Sequence, residues 1–216
     1  MIFNNTIKKG ITTGLLSLLL LILMQCNSYH GLQLQNGDLL FVTAKETGLS
    51  GAINNVTQKY KTASFDHIGI LEKDGRKMFV LHAAPKGGSQ KQSLKNFLED
   101  QQNVVVYRLK PEYQKSIPAA IEKANSMVGK PYNFNYILDE GSYYCSDFVE
   151  RAFRGNHIFK LEPMTFIDPK TGKINVFWEE FYAKKNLKVP EGEPGCNPNG
   201  LAGSDKLERL GDLLNN

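Results

Sequence analysis

The stretch "FDHIGILEKDGRKMFVLHAAP" (Phe65–Pro85) constrains the fold more than any other part of the chain. Two apolar runs flank Asp74-Gly75, and an Asp-Gly pair tolerates the positive φ angles of a tight hairpin turn. His67 lies seven residues before Asp74 and His82 seven after Gly75. The two are therefore expected as cross-strand neighbours, on one face if the register is regular.

Other segments read consistently with a hairpin-built sheet. Gly37-Asp38 opens the strand "GDLLFVTA", and "NVVVYRLK" reads as a further strand. "TGLSGAINNVTQKY" sets Leu49, Ile53, Val56 and Tyr60 at helical spacing, and "SLKNFLED" is a short helix. "PAAIEKANSMVGKPY" is a helix punctuated by Pro118 near its first turn and Gly129 at its far end. Lys170-Thr171-Gly172 is expected to turn one strand toward the next before the Trp178 segment. The tail "VPEGEPGCNPNGLAGSDKLERL" is rich in Pro and Gly and is expected to wrap the surface. No repeat or linker interrupts residues 31–216, so they read as one α+β domain, an antiparallel sheet packed with helices.

The first residues differ in character. Lys8 and Lys9 precede "ITTGLLSLLLLILMQC", a basic stretch followed by an apolar run too short to favour a spanning helix. Residues 1–26 are expected to be a secretory signal, which places the protein in a bacterial cell envelope. "LILMQC" resembles a lipobox ending at Cys26, with Gln25 where such boxes carry a small residue. Lipidation of Cys26, cleavage beyond it, and retention as a membrane anchor all stay open. The 216 residues carry a net charge of +4. No run of Lys and Arg interleaves with aromatics, so nucleic acid is not an expected partner. A weak attraction to anionic polymers or lipid headgroups is compatible with this charge.

"DEGSYYCSDFVERAF" (Asp139–Phe153) places Cys145 at the start of a helix marked by Ser142, Asp147 and the apolar spacing of Phe148, Val149 and Phe153. Unpaired N–H groups and the positive end of the helix dipole favour a thiolate there. The position equally suits a small buried residue, or half of a disulfide with Cys196 in an oxidising compartment. No CxxC or Cys/His spacing points to zinc, and no metal or cofactor is expected. His30 lies beside the signal junction, and His157 in "RGNHIF" suits a helix C-cap. A lone strand histidine is usually a hydrogen-bonded core residue. Two on facing strands, with a helix-borne cysteine, match the nucleophile, base and orienting group of a catalytic trio: Cys145, His67 and His82.

"NGDLLFV", "FDHIGI", "VLHAAP", "GKPYNFNY" and "YYCSDFVERAF", in that order, resemble the circularly permuted papain-like amidases of the YaeF/YiiX type. These belong to the NlpC-like superfamily of cysteine peptidases and are related in fold to lecithin retinol acyltransferase. The resemblance runs from about Gly37 into the tail, where "GCNPNGLAGSDKLERL" is similar to the family's closing segment. It implies a His base on the strand matching "DHIGI", a nucleophile on the helix matching "YYCSDFV", and a third polar residue on the strand matching "VLHAA". That third residue is often Glu in the family and is His82 here, as in the acyltransferase relatives. Asn133 stands where related sequences often have Asp.

Several residues have two readings. Asp38 could contact the site or serve the turn before its strand. Tyr144 and Tyr143 could donate to an oxyanion, line a pocket or pack. Tyr132, Phe134 and Tyr136 alternate like a strand face and read as core. Trp178, Phe181 and Tyr182 form either an aromatic wall for substrate or a packed helix. Three functions follow: an exported cysteine hydrolase of an amide bond in a cell-wall peptide, a lipid or acyl-ester hydrolase or acyltransferase on the same trio, and a noncatalytic envelope binding protein with Cys145 bridged to Cys196.

Overall fold

A computed structural model of the chain describes residues 28–29, 31–57 and 64–213. The expected signal segment with Cys26, and also His30 and Tyr60, lie outside the described residues. No described helix is long and apolar enough to cross a membrane.

By its contacts the chain divides after Leu34 into two units. In the first, β1 (Ser28–Tyr29) pairs antiparallel with β2 (Leu32–Gln33). The second begins with β3 (Leu39–Thr43), α1 (Gly48–Thr57), β4 (Phe65–Asp74), β5 (Lys77–Ala84), β6 (Gly88–Ser93), α2 (Leu94–Asp100) and β7 (Val104–Leu109). A 3₁₀ turn (Pro111–Ser116) leads into α3 (Ile117–Ser126) and then α4 (Cys145–Arg154). The chain closes with β8 (Glu162–Pro163), α5 (Val176–Ala183), β9 (Pro194–Gly195), α6 (Pro198–Ala202) and β10 (Leu207–Leu213). The main sheet is antiparallel throughout, in the order β10-β7-β3-β4-β5-β6. This is the α+β class that the sequence pattern implies.

The β4–β5 hairpin forms where expected, but its turn sits one residue later. Asp74 pairs with Lys77, leaving Gly75 (φ 58°) and Arg76 as the two turn residues. Ile70 therefore faces Leu81, and Gly69 rather than His67 comes level with His82. A Cβ on Gly69 would lie 3.2 Å from the His82 Cβ and 2.5 Å from Val80 Cγ1, so only glycine permits this approach. The shift is two residues across the pair, which keeps both histidines on one face as diagonal neighbours.

Phe41, Ile68, Ile70 and Leu81 of the sheet pack with Ala120 and Ala124 of α3 and Phe148, Val149 and Phe153 of α4. Each large side chain buried in this way contributes roughly 1.5–3 kcal/mol. Helix α4 is buried from Cys145 to Phe153, so its charged residues need partners. Arg151 donates to Asp147 (2.6 Å) and to Glu140 (2.5 Å), and Arg154 pairs with Glu150. A second, aromatic cluster gathers Tyr136, Tyr144, Phe166, Trp178 and Tyr182.

Three local expectations are corrected. The tail does not simply wrap the surface: β10 adds an edge strand beside β7, with Leu210 bulged out between the paired Arg209 and Gly211. That extra residue breaks the alternation that marks a strand. Lys170–Gly172 does turn the chain, but its flanks share a single bridge, Ile167 to Ile174. Tyr132 to Tyr136 is not a strand. The Asn133 side chain accepts from the Asn135 N–H (3.0 Å) and donates to the Ile137 carbonyl (2.6 Å), and Tyr136 has φ 56°. Asn and its local hydrogen bonds favour such a turn over a pleated ladder.

Candidate active site

Tyr144 is the extended N-cap of α4, so Cys145 is the first helical residue. Its sulfur lies 3.8 Å from the main-chain oxygen of Asp66 on β4. Val42 pairs with His67 and Thr43 with Phe65, so Asp66 is the extra residue of a β-bulge. Bulges bend a strand and re-aim the side chains around them. The helix N-terminus thus meets β4 at its one irregularity against β3.

The thiol is not activated in this state. Burial pushes Cys145 up to about 12, and the Asp66 carboxylate adds to the effect. The N–H groups of Ser146, Ile68 and Cys145 itself act in the opposite direction. The helix-terminus effect expected from the sequence is therefore present, but desolvation outweighs it.

His67 and His82 do come together. His67 Nε2 and His82 Nδ1 are 2.9 Å apart, and His82 Nε2 is 3.1 Å from Gln92 Oε1. The His67 ring stacks on Phe97 of α2 at 6.1 Å, and the His82 ring meets the same phenyl edge-on. Burial, then the neighbouring His82, pushes His67 down to about 3. Burial likewise pushes His82 down to about 4 against the Gln92 hydrogen bond and the Asp100 charge. Both rings are neutral near pH 7. Among the described residues, the thiol's hydrogen bond goes to the main chain beside His67 and to neither imidazole.

A cavity of about 60 Å³ opens beside Cys145, with Asp66, Tyr132, Tyr136, Tyr144 and Cys196 in its wall. Tyr144 faces it, but its hydroxyl accepts the Cys196 N–H at 3.3 Å. Tyr143 donates instead to the Glu140 carbonyl. Asp38 has a structural partner elsewhere: it is fully buried and takes two hydrogen bonds from Arg108 (2.7 and 2.8 Å) and one from the Gln35 N–H. Cys145 and Cys196 are both free thiols. His157 (φ 52°) ends the turn after α4, and its carbonyl accepts from Lys206. Trp178 and Tyr182 pack within the aromatic cluster, and Trp178 also lines the cavity.

Two residues were not singled out from the sequence as parts of this site. Asp66 adjoins His67, and a carboxylate beside a strand histidine is a signal that could have been read. Tyr132 contacts the main chain of Cys145, and its hydroxyl is held well above the usual range, mainly by burial. Nothing in "GKPYNFNY" distinguishes it from a core aromatic. Among the described residues no group of three or more His, Cys, Asp or Glu side chains is placed to hold a metal ion.

No curated protein matches the chain. A crystal structure described as the metalloprotein YiiX from Escherichia coli O157:H7 superposes with a TM-score of 0.68 at 22% identity, covering 85% of this chain and 100% of that one. At that identity the likeness is one of fold. Residues 33–211 match the family described as "permuted papain-like amidase enzyme, YaeF/YiiX, C92 family". The chain therefore belongs to the permuted papain-like amidases of the YaeF/YiiX type, a family of cysteine hydrolases.

Proposed function

We propose that this cysteine hydrolase is exported to the bacterial cell envelope, where residues 31–216 cleave an amide bond in a cell-wall peptide using Cys145, His67 and His82. One observation carries the assignment. The sulfur of Cys145, at the first turn of α4, abuts the bulged segment of β4 that holds His67. A nucleophile and a base that meet at one strand irregularity need only a local change to engage.

In the reaction, substrate enters the cavity and the bulged end of β4 re-aims His67 toward the sulfur. His67 takes the thiol proton, and the thiolate attacks the amide carbonyl. The N–H of Cys145 steadies the oxyanion, with the Tyr132 hydroxyl as the neighbouring donor. His67 then protonates the leaving amine, and water clears the acyl-enzyme. His82 holds the tautomer of His67 throughout. The fold neighbour is described as a metalloprotein; among the described residues, the His, Cys, Asp and Glu side chains of this site do not form a metal-binding set.

A second reading, hydrolysis or transfer of a lipid acyl group, is favoured by the cavity wall. Ile53, Val56, Phe166 and Trp178 make it largely apolar. The noncatalytic reading is not carried forward, because its bridge would consume two thiols that are free in a family of amidases. The test is to incubate the protein and its Cys145→Ser variant with a cell-wall peptide and with a lipid ester. New amine termini released by the unmodified protein alone are the expected result. Release of fatty acid alone would transfer the assignment to the second reading, and equal turnover by Cys145→Ser would end both.

A further inference from the structure

The hydrogen-bonded chain that starts at His67 does not stop at His82. It continues through Gln92, the penultimate residue of β6, to Asp100, the last residue of α2. Neither residue belongs to the Cys145, His67 and His82 set.

We propose that Gln92 and Asp100 are positioning residues that fix the tautomers of both histidines and leave the lone pair of His67 on Nδ1. The chain is anchored at the surface. A carboxylate only accepts hydrogen bonds, so Asp100 obliges Gln92 to turn its amide nitrogen outward. Gln92 Nε2 donates to Asp100 Oδ2 at 2.6 Å. Gln92 Oε1 must then face inward, where it lies 3.1 Å from His82 Nε2. An amide oxygen cannot donate, so the hydrogen between them sits on His82 Nε2. A neutral imidazole carries one ring hydrogen, so His82 Nδ1 is bare. It accepts across 2.9 Å from His67 Nε2, which must therefore carry the hydrogen of that ring. His67 Nδ1 is left as its basic atom.

The surrounding elements hold the chain in place. Gln92 pairs with Val80 across β5–β6, and Ser93, the next residue, caps α2 through its hydroxyl at 3.2 Å from the Asn96 N–H. The same helix supplies Phe97, which packs on both rings, and ends at Asp100. Helix α2 therefore fixes the ring planes and the hydrogen-bond polarity together.

The experiment reads tautomers directly, from long-range proton–nitrogen correlations of the imidazoles in ¹⁵N-labelled protein. In the unmodified protein both rings are expected with hydrogen on Nε2. Asp100→Lys places a donor where the carboxylate was, and a cation suits a helix C-terminus, so α2 should persist. Gln92 then presents its oxygen outward, and both rings are expected to move their hydrogen to Nδ1 together. Asp100→Glu keeps an acceptor and should keep the original tautomers. Gln92→Leu should leave the two rings unfixed, with mixed signals. Hydrogen on Nδ1 in the unmodified protein, or an Asp100→Lys spectrum identical to it, would overturn the proposal.

The catalytic consequence rests on reading His67 as the base. On that reading Asp100→Lys lowers kcat at least tenfold with KM little changed. A tautomer change with kcat intact would leave the positioning chain standing and remove His67 from the chemistry.

Discussion

Cys145 Sγ lies 3.8 Å from the carbonyl oxygen of Asp66, so the thiol meets the strand of His67 through its main chain and not through the imidazole. The ring of His67 is occupied elsewhere, by His82 and Phe97. In this arrangement the thiol keeps its proton. Its first consequence is chemical. With the thiol pushed up to about 12, iodoacetamide should label Cys145 more slowly at pH 7 than it labels an unstructured cysteine. The rate should rise by about tenfold per pH unit from 7 to 9, following the thiolate fraction. A rate that levels off below pH 8 would show a thiolate already formed and contradict the raised thiol.

A second expectation concerns stability. Cys145 is buried but free, so Cys145→Ser and Cys145→Ala should each abolish turnover while changing unfolding free energy by only about 1 kcal/mol. Denaturant unfolding of the three proteins checks this. A loss several times larger, the size associated with a missing disulfide, would mean that the cysteine is bridged in solution.

Acid should weaken the fold through the two histidines. The unfolded chain takes up their protons near 6.5, whereas the folded state resists to about 3 for His67 and about 4 for His82. Their contribution is thus fully present above 6.5 and is lost as pH falls through that window. The slope is about 1.4 kcal/mol per pH unit for each histidine. Asp147 opposes it below about 6, because burial raises its folded value and a folded state that binds the proton more tightly gains on acidification. Urea titrations at pH 7, 5.5 and 4.5 should show a steeper loss in the unmodified protein than in His82→Gln. Equal slopes would mean that His82 is not held neutral.

How far the sequence could be read follows from which interactions are local. The hairpin turn at Gly75, the Ser93 cap and the apolar spacing of Phe148, Val149 and Phe153 are determined within a few residues, and the hairpin and helices were legible. The pairing of His67 with His82 was legible because a two-residue register change preserves the face. The aim of His67 relative to Cys145 was not legible, because it depends on the Asp66 bulge, which forms only when β3 pairs across it. The raised thiol was hidden for the same kind of reason. A helix terminus is visible in sequence, but the depth of its burial under Tyr132 and Tyr144 is a tertiary fact.

Membrane attachment is tested at Cys26. If the segment before it is a lipoprotein signal, Cys26→Ala should move the protein from the membrane fraction to the soluble envelope fraction. Activity per molecule should be unchanged. Membrane association that survives the substitution would leave an uncleaved anchor as the better account.

The last expectation separates the histidines by role. His67 carries a proton in both halves of the proposed reaction, so His67→Ala should reduce turnover to the level of Cys145→Ser. On the tautomers proposed above, His82 accepts the hydrogen of His67 Nε2 across 2.9 Å and does no more. A side chain with an acceptor oxygen at that position keeps the tautomer, so His82→Gln should retain measurable turnover and His82→Glu more. His82→Ala leaves the buried His67 N–H without a partner, at about 1–3 kcal/mol, and should lose both activity and stability. His157 is the control. Its place in the fold is a left-handed turn after α4 whose carbonyl meets Lys206, so His157→Asn should match the unmodified protein. Assaying these variants together on one amide substrate decides the assignment. Full activity in His82→Ala would remove the orienting role, and damage from His157→Asn equal to that from His67→Ala would mean that His157, not His67, is the base.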